Sequence, residues 1–149
     1  MWRLAVLALA LWPALAGAQD AAQTAWRFID PLARQGLDIR PGEGPAELFP
    51  DNMNPAAADV ALGFHYYGNR VGGNAVMLNV GLFHHIEGGW VFAGPVEGLY
   101  GTSPREARFF PGRVEITTTM LGPNEPRCCP TQVTRWSVDT ITRQVTRLP

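Results

Sequence analysis

The sequence has little cysteine and no lysine. Only two cysteines occur among 149 residues, and every basic residue is an arginine. Two cysteines are too few for a disulfide-rich scaffold, so burial and hydrogen bonding must hold the fold. The sequence also lacks a nucleophile elbow, a phosphate-binding glycine loop and a helical zinc motif. It therefore predicts no catalytic residues and no cofactor.

Charged residues are also few, at 17% of the chain, and the two signs nearly balance. The formal net charge is −1, so no basic surface favours nucleic acid or an anionic membrane.

The one long apolar run lies at the N-terminus. Arg3 precedes the run at 4–11, and Ala16-Gly17-Ala18 follows Pro13 as a small-x-small cleavage motif. The run is well short of the roughly 20 residues that cross a bilayer. We therefore predict a signal peptide at 1–18, cleaved after Ala18, and a periplasmic mature protein with no membrane span.

Residues 19–58 are predicted to form one short helix and a loop. Helical spacing of apolar residues favours a helix over 24–35, and the alternative begins at Pro31 with Asp30 as its N-cap. The stretch 40–55 is rich in proline, glycine and acid and is typical of a loop. Within 51–59 the spacing of acidic residues resembles a degraded calcium loop. Met53 and Pro55 occupy ligand positions, which favours an Asx-rich turn that caps the next strand.

Residues 59–149 show alternation of period two, typical of antiparallel strands. The fold class is therefore mainly β (α+β): an antiparallel meander sheet of about six strands with one short N-terminal helix, and 19–149 as one globular domain. Gly88-Gly89 is predicted as a two-residue hairpin turn. The strand segments lie at 60–67, 76–86, 90–96, 105–110, 113–121, 132–138 and 143–148. The fourth and fifth segments are separated by Pro111-Gly112, which is either a turn or a bulge within one strand.

The sequence predicts a different role for each of the three histidines. His84 lies on the apolar face of its strand and is predicted to be buried, neutral and bonded to a backbone group. His85 and Glu87 share the other face and could hold a metal or act as base and orienter, although a solvated hairpin tip fits them better. His65 would join them if its strand placed it next to His85.

The two cysteines are adjacent, at Cys128 and Cys129, between Pro126 and Pro130. In an oxidising compartment the pair favours a vicinal disulfide, which would be strained because consecutive Cα atoms lie only about 3.8 Å apart. Two free thiols, a redox switch and a metal site are the alternatives.

The motif Cys128-Cys129-Pro130-Thr131, after a strand that ends in Gly122-Pro123, resembles a group of small bacterial exported proteins and lipoproteins of uncharacterised function. Asp59-Val60-Ala61-Leu62, behind the acidic loop, is a weaker match to the same group. The resemblance implies an extracytoplasmic, mainly β domain and no particular activity.

We therefore expect an exported, non-catalytic binding or interaction module whose partner is an unknown envelope protein or a small ligand. The alternative is a redox- or metal-responsive envelope protein that uses Cys128 and Cys129. A hydrolase built on His85 and Glu87 has the least support.

Overall fold

The computed structural model describes residues 25–72, 76–126 and 128–149. The predicted signal peptide lies outside these residues. A 3-10 turn, Arg27–Ile29, leads into helix α1, Asp30–Gly36. Eight strands follow: β1 Glu47–Pro50, β2 Val60–Gly68, β3 Val76–Ile86, β4 Gly89–Pro95, β5 Thr102–Phe110, β6 Arg113–Met120, β7 Gln132–Asp139 and β8 Val145–Leu148.

The strands form two sheets, which corrects the prediction of a single sheet of about six strands. Each sheet is an antiparallel meander of four strands, in the orders β1-β2-β3-β4 and β5-β6-β7-β8. The mainly β class and the antiparallel pairing are confirmed. Within the described residues, no helix is both long enough and apolar enough to cross a bilayer.

The two sheets share one apolar core. Leu62 and Phe64 of β2 belong to the same buried cluster as Val114 of β6 and Trp136 of β7. The period-two alternation places these side chains on the inner faces, as the sequence predicts. Trp136 also donates its indole N–H to the Thr118 hydroxyl at 2.8 Å, so its one polar atom is satisfied inside the core.

The N-terminal segment covers the other face of the first sheet. Trp26, Ile29, Ala33 and Leu37 are buried against this face. Close approach of this segment is possible because glycine stands at Gly81, where a Cβ would lie 2.7 Å from the Leu37 side chain. Strand β2 is consequently buried on both faces along most of its length.

Local boundaries differ from the predictions in three places. Ile29, not Asp30, is the N-cap of α1, although the helix has a proline in its first turn as expected. Strand β1 lies inside the predicted loop, where four residues are too few to show a period. The tight turn is Glu87-Gly88 rather than Gly88-Gly89, because Glu87 adopts a φ of 51° beside Gly88 at 79°. Both angles suit a type I′ turn.

Candidate functional site

Strand β3 is longer than the strand that pairs with its outer edge. It has 11 residues against 7 in β4. The ladder between them runs from the pair Ile86–Gly89 to the pair Gly81–Pro95. The first part of β3, from Val76 to Asn79, thus has β2 on one side and no strand paired on the other among the described residues.

The backbone groups that face this open edge follow from strand alternation. The Val80 carbonyl accepts a hydrogen bond from the Val96 amide at 2.8 Å on the β4 side, whereas the His85 amide donates to Asp59 at 2.8 Å on the β2 side. Even-numbered residues of β3 therefore direct their N–H and C=O groups toward the open edge. Val76 and Leu78 present four such groups there.

The connection between the two sheets forms one wall beside this edge. Its residues Val96 and Leu99 are buried in the shared core. The Gly101 carbonyl accepts a hydrogen bond from the Tyr66 hydroxyl at 3.0 Å, and the Tyr100 carbonyl accepts one from Thr118 at 2.7 Å. The wall is therefore anchored to both sheets.

Burial and the nearby negative charge of Glu47 raise the pKa of Tyr66 to about 12. Tyr66 consequently keeps its proton and remains a hydrogen-bond donor to the wall across the physiological pH range.

Between the wall and the end of α1 lies a groove of about 470 Å³. Two carboxylates, Asp38 and Glu97, line it, and none of its lining residues is basic. Asp38 forms an ion pair with Arg70, while Glu97 is exposed. The lining residues are Gly36, Leu37, Asp38, Leu78, Asn79, Val80, Pro95, Val96, Glu97, Gly98, Leu99 and Tyr100.

A polar network fixes the chain on the helix side of the groove. Arg70 donates to Glu43 at 3.0 and 2.8 Å, and it also bonds Asp38. The side-chain amide of Asn79 donates from Nδ2 to the Leu37 carbonyl at 2.7 Å. The Arg70 hydrogen bonds, followed by the backbone N–H of Arg40, lower the pKa of Glu43 to about 2, and Glu43 in turn raises the pKa of Arg70.

His65 belongs to this network rather than to a metal site. Its Nε2 lies 3.1 Å from Glu43 Oε2, and its side chain is buried. Its ring stacks on Tyr67 at 5.6 Å, and the Arg70 guanidinium lies 4.2 Å from the centre of the same tyrosine ring. Nδ1 of His65 is buried without a hydrogen-bond partner. The imidazole therefore helps to position Glu43.

The structure does not bring His65, His85 and Glu87 together. His65 pairs with Asn79, whereas His85 lies six residues farther along β3 and pairs with Trp90. At about 3.3 Å per residue this separation is about 20 Å. His85 stacks on Trp90 at 5.4 Å, and Glu87 lies in the exposed turn.

His84 forms the backbone hydrogen bond expected of it. Its Nε2 donates to the Thr140 carbonyl at 3.0 Å. The bond joins β3 to the turn before β8 and so links the two sheets. The residue is half-buried.

The cysteines lie in the loop between β6 and β7. Both thiols are exposed and free, so the vicinal disulfide expected from the sequence is not formed. The hydrogen bond with Cys128, with burial and the charge of Glu125 as smaller causes, raises the pKa of Cys129. The Cys129 thiol therefore holds its proton more tightly than an ordinary cysteine.

Glu125 closes this loop at its base. Its carboxylate accepts hydrogen bonds from the amides of Gly122 at 2.8 Å and Thr131 at 2.9 Å, and from the Thr131 hydroxyl. These bonds, that of the hydroxyl first, lower the pKa of Glu125. Both ends of the cysteine loop are thus held by one side chain.

The acidic loop at 51–59 is the Asx-rich turn that the sequence favours. Asp51 accepts the Asp59 amide at 3.0 Å, and Asn52 and Asn54 accept amides two residues ahead at 2.9 and 3.1 Å. Among the residues that the structure describes, no group of three or more histidine, cysteine, aspartate or glutamate side chains is placed to hold a metal ion.

A second, smaller depression of about 280 Å³ lies on the second sheet, around Glu115 and Arg135. Glu115 forms ion pairs with Arg113 at 3.4 Å and with Arg135 at 3.0 Å. The charges of this depression therefore largely satisfy one another, whereas Glu97 in the groove forms no ion pair among the described residues.

Of the groove residues, the sequence offers only Tyr100, as one of the aromatics that could line a ligand cleft, with core packing as the default. One signal was available: the segment predicted for the third strand is longer than its hairpin partner at 90–96, and a mismatch of that kind leaves an edge open. The contribution of residues 36–38 could not be found in this way, because it depends on how α1 packs against the first sheet.

No protein-family model, curated protein or solved structure matches this chain, so the family resemblance of the Cys-Cys-Pro-Thr loop stays a prediction.

Proposed function

We propose that this protein is a non-catalytic binding module that holds an extended peptide segment of a partner protein along the open edge of β3. The observation that carries the proposal is the set of four backbone groups on Val76 and Leu78 that face the open edge of β3, of which those of Leu78 border the groove. An added strand would satisfy these groups, as in other cases of β-strand addition.

Charge and geometry define the occupant. Glu97, which forms no ion pair among the described residues, favours a strand that carries arginine or lysine, whereas Asp38 is already paired with Arg70. A second copy of this chain fits poorly, because antiparallel self-pairing centred on Leu78 would use the Val80 carbonyl, which already accepts the Val96 amide at 2.8 Å. A short peptide needs only the groups of Val76 and Leu78.

The predicted export of the chain places this partner in the cell envelope. The sequence pattern at 1–18 supports that part of the proposal.

Selection from a random dodecapeptide library tests the proposal. We expect enriched peptides with alternating basic and apolar residues, and we expect Glu97→Arg to weaken their binding about fivefold or more. Glu87→Arg is the matched control, since it makes the same charge change on an exposed loop at the far end of β3. Equal binding of the selected peptides to the two variants would contradict the proposal. So would a selection that enriches no peptide beyond a parallel selection carried out without the protein.

A further inference from the structure

Independently of the peptide groove, we propose that Cys128 and Cys129 form a chelating site for a soft monovalent cation, with Cu(I) as the physiological type. The two thiols are exposed, unbonded and adjacent. They are also the only cysteines in the chain, so no other thiol competes for either of them.

The loop presents the two thiols as a pair. The Glu125 carboxylate ties Gly122 to Thr131, and the Cys129 amide donates to the Pro126 carbonyl at 3.1 Å. Oε2 of Glu125 accepts both amide hydrogen bonds, and Oε1 accepts the Thr131 hydroxyl. Glu125 therefore positions the loop and adds negative charge, and it is not free to act as a ligand.

The ligand set selects the metal. Zinc in a structural site takes four ligands, and calcium takes six or more oxygens. The described residues place no third histidine, cysteine or carboxylate side chain in such a cluster. Two thiolates without further ligands suit Cu(I), which prefers soft sulfur donors and accepts two-coordinate geometry.

Binding is a ligand exchange without electron transfer. Each S–H bond breaks, each proton passes to the buffer, and the electron pair left on sulfur forms the S–Cu bond. One Cu(I) and two thiols thus give a bis-thiolate complex of charge −1 and release two protons.

The test is an anaerobic titration of the reduced full chain with Cu(I), in competition with a coloured Cu(I) chelator. The expected result is one Cu(I) per chain, with sulfur-to-copper absorption in the ultraviolet. Cys128→Ser and Cys129→Ser should each lower the affinity at least tenfold, and the double variant should abolish binding. Glu97→Arg should leave it unchanged, which separates this site from the peptide groove.

Far-ultraviolet circular dichroism of each serine variant, unchanged from the parent, confirms that the loss of copper is not a loss of fold. Retention of stoichiometric Cu(I) by the double variant would overturn the proposal. So would tighter binding of Zn(II) than of Cu(I), or a stoichiometry of one Cu(I) shared by two chains.

Discussion

Single glycines determine how closely the connection between the sheets can approach β6. Gly101 has a φ of 108°, and a Cβ there would lie 2.5 Å from the Thr118 hydroxyl oxygen. The same hydroxyl donates to Tyr100 and accepts from Trp136. A side chain at position 101 would therefore disturb both the backbone and this pair of hydrogen bonds.

Gly101→Ala should accordingly lower the free energy of unfolding by about 3 kcal/mol, since backbone strain and overpacking each cost roughly 1–3 kcal/mol. Gly112→Ala is the control, because Gly112 also has positive φ, at 77°, but open space around it. It should lose only about 1 kcal/mol. Urea denaturation of both variants checks this, and equal losses would contradict the role given to Thr118.

Glu43 is a residue whose ionisation contributes to stability. Its pKa falls from the ordinary 4.5 to about 2 in the folded protein, chiefly through Arg70. A lowered folded pKa stabilises the protein above the unfolded pKa, and this contribution is lost as the pH falls from 4.5 toward 2.

We therefore expect Glu43→Gln to be less stable than the parent at pH 7 and to approach it as the pH falls to 3. Urea midpoints at a series of pH values measure this difference. In an Arg70→Gln background the effect of Glu43→Gln should shrink, because its main partner is gone. A gap that is constant with pH would contradict the assignment.

At the scale of elements, the β3–β4 hairpin fixes the register that leaves the groove open. Its turn places Glu87 at a φ of 51°, a conformation that is costly for most side chains but natural for asparagine. The resulting Asn-Gly sequence is also strongly preferred in type I′ turns.

Glu87→Asn should therefore raise the free energy of unfolding by about 0.5–1 kcal/mol, with no change in groove binding. Thermal denaturation measures the gain. Gly88→Ala should instead lower the free energy of unfolding, because Gly88 has a φ of 79°. If both substitutions shifted the melting temperature in the same direction, the turn would not be Glu87-Gly88.

At the scale of the whole molecule, the sequence patterns predict the strands better than their assembly. Alternation in β2, β3 and β6 marks their inner faces correctly, because the shared core demands apolar residues at every second position. The division into two sheets could not be predicted, because it arises from the turn at Gly98 to Gly101 and from contacts across the core. Strand β1 has only four residues and ends in Pro50, so no period is visible.

The candidate site is harder to predict for the same reason. The cysteine loop is visible as a motif, and the structure adds that Glu125 closes it. The groove combines α1, β3 and the connection after β4, which lie far apart along the chain. The network of Arg70 and Glu43 spans 27 residues, and no local pattern indicates it.

The central claim is that the open edge of β3 receives a strand, and amide hydrogen exchange at Leu78 tests it most directly. In the free protein the Leu78 amide should exchange faster than that of Asn79, whose N–H faces β2. Saturation with a selected peptide should slow exchange at Leu78 at least tenfold and leave Asn79 nearly unchanged. Unaltered exchange at Leu78 under saturation, or protection confined to the second sheet, would contradict the claim.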